Sequence, residues 1–308
     1  MKTDTAEMFS QDFADCILSP ADIVSRAYRI TRKDWKVLAL VSAIPAFVYI
    51  FSYSMVGWLA VHSGIGVSNI VALLVIDLFV AVGSGIALRV IQFALVSLLL
   101  GQYPSLQIAL TESGKKIWLI FWISLPSGLV DVAVFILCAL SVWLMVPGLA
   151  GGKNTIVAGV GAIIYCGLVL ITVPFNCLML LNLFFICILI AERLSVRKCF
   201  IRFINFCASA DALGYMACFF SLFAIVSFSV DMCTALLTTV NLSGMLPPGV
   251  TKEISKTVEL LLNCALSMPF NAFLTGAAAA GCAGLYSQLT MKLEGADLVT
   301  SLDLLKHS

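Results

Sequence analysis

The chain has 308 residues, of which 61% are hydrophobic and 11% charged, and its formal net charge is +1; the mean hydropathy is +1.06. This composition excludes a soluble domain of that size and requires a lipid interior as solvent. The near-neutral charge excludes a nucleic-acid partner, because phosphate binding needs a basic surface.

Residues 1–18 set Asp4, Glu7, Asp12 and Asp15 among Phe9 and Phe13. They lack the basic start and apolar middle of a cleaved signal peptide, so a cytoplasmic segment and an uncleaved first span are expected. Ser19-Pro20-Ala21-Asp22 then opens a helix: Ser19 can cap, Pro20 suits the first turn, and Asp22 holds the capping-box position. Ile23, Ala27 and Ile30 share one face, with Arg26, Arg29, Arg32 and Lys33 around the other, as in a helix lying on a membrane surface. Trp35 marks the interface, and an apolar span follows from about Val37 to Ala60 with Pro45 inside it.

After an uncharged turn, a second apolar run extends from about Asn69 to Leu100. At roughly 48 Å as straight helix it exceeds the ~30 Å of hydrocarbon, so it must tilt, bend at Gly83-Ser84-Gly85 or project beyond the bilayer. Tyr103-Pro104 begins a second short helix, with Leu106, Ala109 and Leu110 on one face and Glu112, Lys115 and Lys116 near its end. Trp118 and a span with Pro126 inside it repeat the order seen after Lys33. A Gly-rich turn from Pro147 to Lys153 leads to the next long run.

Pro174-Phe175-Asn176 lies inside that run, from about Thr155 to Ala191, and Pro269-Phe270-Asn271 lies inside a similar one from about Val258 to Leu289. An interior proline removes one hydrogen bond and pushes away the carbonyl four residues back, so each run is expected to be a helix with a built-in break. Gly83-Ser84-Gly85 stands at the matching interval before Gly101. Between the two proline runs, Val196, Cys199, Phe200, Phe203, Ile204 and Cys207 recur at helical spacing, with Arg197, Lys198, Arg202 and Asn205 expected to face away. A fifth span covers about Leu213 to Val240.

The pattern surface helix, span, turn, long broken span therefore occurs three times. The expected fold is an all-α integral membrane protein with six transmembrane helices in three pseudo-repeats, each an amphipathic surface helix plus a helical hairpin. The membrane domain covers residues 19–293, with repeats at about 19–101, 103–192 and 194–290, followed by a cytoplasmic tail, 294–308. Of the eighteen Lys and Arg residues, Lys153, Lys252 and Lys256 fall opposite and Arg89 lies in a span; the remaining fourteen share the side of the connectors and termini. The positive-inside rule then puts both termini in the cytoplasm.

Candidate sites follow from polar groups in apolar runs. Asp77, Arg89, Asp131 and Asp231 are costly in lipid and suggest a proton or cation path; the alternative is that one acid pairs with Arg89 while the others are wetted near the outer interface. Asn176 and Asn271 can satisfy backbone groups freed at Pro174 and Pro269, or coordinate a solute as broken transporter helices do; Gly83 and Gly85 mark the corresponding weak point. Gly276, Ala280 and Gly284, spaced by four, suit close helix packing, either within the chain or between subunits. Arg26, Arg29, Arg32, Lys33, Lys115, Lys116, Arg197, Lys198 and Arg202 are candidates for anionic lipid headgroups.

Eleven cysteines without a CxxC pair, and two histidines, read as a chain with no metal site and no cofactor, the cysteines serving as small apolar residues. No Ser-His-Asp set, phosphate-binding Gly loop or paired-carboxylate motif stands out, so no enzyme is expected.

Glu192-Arg-Leu-Ser195 followed by Cys199-Phe-Ile-Arg202, and Gly101-Gln-Tyr-Pro-Ser105 followed by Ala109-Leu110, resemble the helical membrane domain that precedes some glycerophosphodiester phosphodiesterases, and related stand-alone bacterial membrane proteins. The likeness covers roughly Ser19 to Leu293. It implies a six-helix domain in the bacterial inner membrane. The catalytic barrel of those phosphodiesterases, with its histidines and metal-binding acids, has no counterpart here. The expected role is a non-enzymatic scaffold, assembly factor or accessory subunit that contacts membrane lipids and other membrane subunits or a second copy. The alternative is a transporter or channel for a small polar or lipidic solute.

Overall fold

The computed structural model describes residues 18–33, 67–125, 155–193, 195–238 and 268–293, with isolated positions between 36 and 51, between 129 and 137, and at 265. The expected first span, the expected third span beyond residue 125, the turns at 62–66 and 147–153, the loop around Pro247 and both terminal segments lie outside the described residues, apart from those isolated positions. Among the described residues every regular element is a helix and none is a strand. In chain order these are α1 (Pro20–Lys33), α2 (Val67–Leu99), α3 (Leu106–Lys115), α4 (117–125), α5 (Thr155–Glu192), α6 (Val196–Ala208), α7 (Ala210–Thr238) and α8 (268–293).

Local chemistry explains the helix starts. At α1 the capping box forms: the Asp22 amide donates to Ser19 Oγ at 3.2 Å, and the Ser19 amide and hydroxyl donate to Asp22 Oδ2 at 3.2 and 2.6 Å. The Ser19 hydroxyl and amide together hold the exposed Asp22 carboxyl below the usual carboxylate range. Ser105 caps α3 by accepting from the Ile108 amide, at 3.4 Å, and the Ser209 hydroxyl accepts from Ala212 at the head of α7, at 3.5 Å.

α2 and α5 carry apolar residues all round, as a helix surrounded by protein or lipid must. They have 33 and 38 residues, about 50 and 57 Å of helix. Both stay helical through the expected weak points: α2 continues across Gly83-Ser84-Gly85 and α5 across Pro174, while Pro269 lies within helical residues of α8. Gly83-Ser84-Gly85 and Pro174 therefore do not end their helices, while residues 266 and 267, just before Pro269, lie outside the described residues. A single lost hydrogen bond is offset when the neighbouring turns remain bonded and packed.

The two long helices turn off in the same manner. α2 closes with a Schellman motif, in which Gly101 adopts φ 70°, its amide donates to Leu98 O at 3.0 Å and the Gln102 amide donates to Ser97 O at 2.9 Å. α5 ends at Glu192, and Arg193 takes φ 49°, a left-handed conformation that costs a side-chain-bearing residue roughly 1 kcal/mol.

Among the described side chains, packing is densest in the halves of the helices nearest these corners. Phe93 to Leu99 of α2, Leu183 to Ile190 of α5, Tyr215 to Phe223 of α7 and Ala277 to Leu289 of α8 supply most of the buried core. Phe184 joins three elements, with ring centroids 6.3 Å from Phe203, 5.8 Å from Phe206 and 6.4 Å from Phe220. α8 runs through the centre: the Cys282 thiol donates to Leu180 O at 3.6 Å, and a Cβ at Gly281 would lie 3.0 Å from the Phe219 ring. Toward the other ends, Val75, Phe79, Val160, Ile163 and Ile225 are exposed.

Gly276, Ala280 and Gly284 are all buried. They are spent on packing inside the chain, and a partner subunit would need another face. By length and composition, two helices among the described residues are able to cross a membrane, Leu78–Leu99 and Ala210–Ser229.

Candidate functional site at the connector end

The connectors and the ends of the long helices meet in one polar layer. Glu192, the last residue of α5, accepts from Arg202 Nε of α6 at 2.9 Å and from the Tyr286 hydroxyl of α8 at 3.2 Å. The Arg202 guanidinium also lies 5.0 Å from the centre of the Phe206 ring. Arg202 therefore points inward, which corrects its expected place on the outward face among the lipid-contacting candidates. The physical reason is that Glu192 offers a carboxylate at the edge of a low-dielectric core, where a charge-assisted bond outweighs exposure to water. Cys199 sits beneath this pair; burial, with Glu192 adding to it, pushes its thiol up to about 12.

One residue further on, Arg193 reaches across to the other corner and donates from Nε and Nη2 to Gln102 Oε1, at 3.2 and 2.9 Å. The chain entering α1 is fastened to the same layer. The Leu18 amide donates to Gln288 Oε1 at 2.8 Å, the Leu18 carbonyl accepts from the Tyr215 hydroxyl, and Lys292 Nζ lies 3.9 Å from the centre of the Tyr215 ring. Gln288 has no exposed surface. Four segments far apart in sequence are thus tied at one end of the bundle.

Below this layer is Arg89, only 6% exposed. Its Nη1 donates to Gln92 Oε1 at 2.9 Å, and it lies within electrostatic reach of Cys282. Asp77 and Arg89 are separated by about 18 Å of rise on one continuous helix, too far for the two to meet. Asp231 sits beyond Phe220 by about 16 Å along α7, away from the connector end. The side chains of Asp77, Asp231 and Asn176 and the whole of Asp131 lie outside the described residues. Asn271 is half-buried on α8, and its carbonyl accepts from Thr275 Oγ1 at 2.8 Å.

The basic candidates divide. Arg29, Arg32, Lys33, Lys115, Lys116, Arg197 and Lys198 are exposed and Arg26 is half-buried; Lys115 pairs with Glu112 at 2.6 Å, which holds its ammonium pKa above the ordinary value. Lys116 Nζ lies 5.6 Å from the Phe93 ring centre. The six cysteines whose side chains are described are free thiols, and among the described residues no group of three or more His, Cys, Asp or Glu side chains is placed to hold a metal.

Sequence reading missed the polar layer itself. Gln288, Tyr215 and Tyr286 each stand near the end of an apolar run, and a lone amide in such a run is a signal that a buried partner exists. Its partner is the backbone of Leu18, which no side-chain pattern reveals. Compared with protein-family models, with curated proteins and with solved structures, the chain has no match.

Proposed function

We propose that the chain is a six-span protein of the bacterial inner membrane, built from three like-oriented repeats with both termini in the cytoplasm. It acts without catalysis, as a scaffold, assembly factor or accessory subunit whose basic connector helices rest on anionic lipid. The observation that carries this reading is where the polar groups of the connector end are used. Glu192, Arg202, Gln102, Arg193, Gln288 and Tyr215 bind the chain to itself, while Arg29, Arg32, Lys33, Arg197 and Lys198 are turned outward. The Arg193 to Gln102 bond supports a shared side for the second and third connectors, since residues at a 2.9 Å contact cannot lie on opposite faces of a bilayer.

Reporter fusions after Lys115 and after Arg197 test the topology, and both are expected to report the cytoplasm; opposite sides would end the repeat reading. Gentle purification tests the role: stoichiometric partner subunits are expected. A second reading, passage of a small polar or lipidic solute, is favoured by one observation, the burial of Arg89 in an apolar helix. Solute uptake into vesicles that Arg89→Leu abolishes, by a protein that purifies alone, would replace the first reading with the second.

A further inference from the structure

The apolar arc of α6 is wider than the protein that covers it. Cys199 and Phe206 are buried and Phe203 and Cys207 half-buried against α5 and α7, but Val196, Phe200 and Ile204, one turn apart along the adjoining flank, are exposed. Phe200 keeps 55% of its surface and Ile201, further round, 52%. Arg197 and Lys198 are exposed beyond that flank, and α6 carries no acidic residue. α1 is built otherwise: Ile23, Val24, Ala27 and Ile30 are all buried, and no large apolar side chain of α1 is exposed. Resting on the topology proposed above, α6 lies where the inner leaflet's acyl chains meet its headgroups.

We propose that α6 is the connector that embeds in the leaflet. The Val196, Phe200 and Ile204 flank sits among acyl chains while Arg197 and Lys198 hold the phosphates of anionic phospholipid. The commitment to lipid rests on charge and shape together: an apolar flank bordered by cations alone matches an anionic monolayer, whose phosphates stand just above its hydrocarbon. α1 has only its charged face to offer and rests on the surface without entering it.

The test uses the full chain in vesicles of phosphatidylcholine with and without phosphatidylglycerol, in two sets of variants. With acyl-brominated lipid, F200W is expected to add a tryptophan signal that is quenched, and R29W one that is not. The double variant R197E/K198E is expected to lower the apparent affinity for retained phosphatidylglycerol on the order of tenfold, read by native mass spectrometry. Quenching of the signal added by F200W by aqueous iodide but not by bromolipid overturns the proposal, as does shielding from both in a particle of doubled mass, which would make the flank a contact between copies. Retention of phosphatidylglycerol unchanged in the double variant overturns the headgroup assignment. In each of these outcomes, cytoplasmic reporters at both Lys115 and Arg197 leave the topology standing, whereas reporters on opposite faces remove the topology itself.

Discussion

α1 and α6 are written in the same terms, apolar residues at helical spacing with Arg and Lys between them, yet they are used differently. α1 lays its whole apolar face against α7 and α8, where Tyr28 meets Phe223 and Phe273 at 5.9 and 5.4 Å between ring centres. α6 covers only part of its face, and the rest looks outward. An amphipathic pattern reports that an apolar face exists; what covers it depends on the neighbours that the fold supplies.

The sharpest way to break this comparison is to truncate one apolar residue in each helix. Ile23→Ala is expected to cost about 3 kcal/mol, since Ile23 is fully buried and Ile to Ala in a core costs roughly 2–5. Phe200→Ala should change unfolding in detergent by less than about 0.5 kcal/mol, in the range of surface changes. Denaturant unfolding followed by far-UV circular dichroism measures both, and equal losses would erase the distinction.

The seat that receives α1 depends on the close approach of α7 and α8. Gly281→Val places branched bulk where the Phe219 ring already lies 3.0 Å from a Cβ, and overpacking of that kind costs about 1–3 kcal/mol. The expected sign is loss of protection in α1 as well as α7, read by hydrogen exchange. Protection lost in α6 first would mean that the seat belongs to the other connector.

The attachment of α6 is tested through Glu192. Glu192→Gln removes the charge from a partly exposed pair and should cost about 1 kcal/mol, with faster exchange confined to α6. Gly101→Ala forces a side chain into φ 70° and should also cost about 1 kcal/mol. Arg193→Gly relieves the same strain but loses the Gln102 bond, so its net effect should be smaller than that of Gly101→Ala.

The smallest effect concerns the cap of α1. The carboxyl of Asp22 is held below its ordinary value of 3.8 by Ser19, so the cap's contribution is present above pH 3.8 and lost as pH falls through the lowered folded value. Asp22→Asn should flatten that acid limb of the stability profile and leave neutral pH nearly unchanged. An unaltered acid limb would show that Ser19 alone carries the cap.

Much of the local structure is legible in the residues. Ser19 and Asp22 announce the start of α1, Gly101 the end of α2, and the apolar faces of α1 and α3 contain the residues that are buried. The expected weak points at Gly83-Ser84-Gly85 and Pro174 follow from general rules for glycine and proline, but helix continuity across them depends on the turns and neighbours around them. Arg202 belongs outward by its position on the helical wheel, and a carboxylate from the preceding helix turns it in. The clamp on Leu18 is illegible because one side of it is backbone.

Residue order alone dictates that the described segments are helical and strongly apolar, where their helices begin and turn, and which faces carry the apolar residues, because those properties are set by composition, spacing and capping chemistry within a few residues. It takes the folded chain to make Gly276, Ala280 and Gly284 pack inward, to tie α6 to α8 through Glu192, and to leave one flank of α6 uncovered. Each of those outcomes is fixed by which distant surface arrives to bury a group, and burial is a property of the assembled chain.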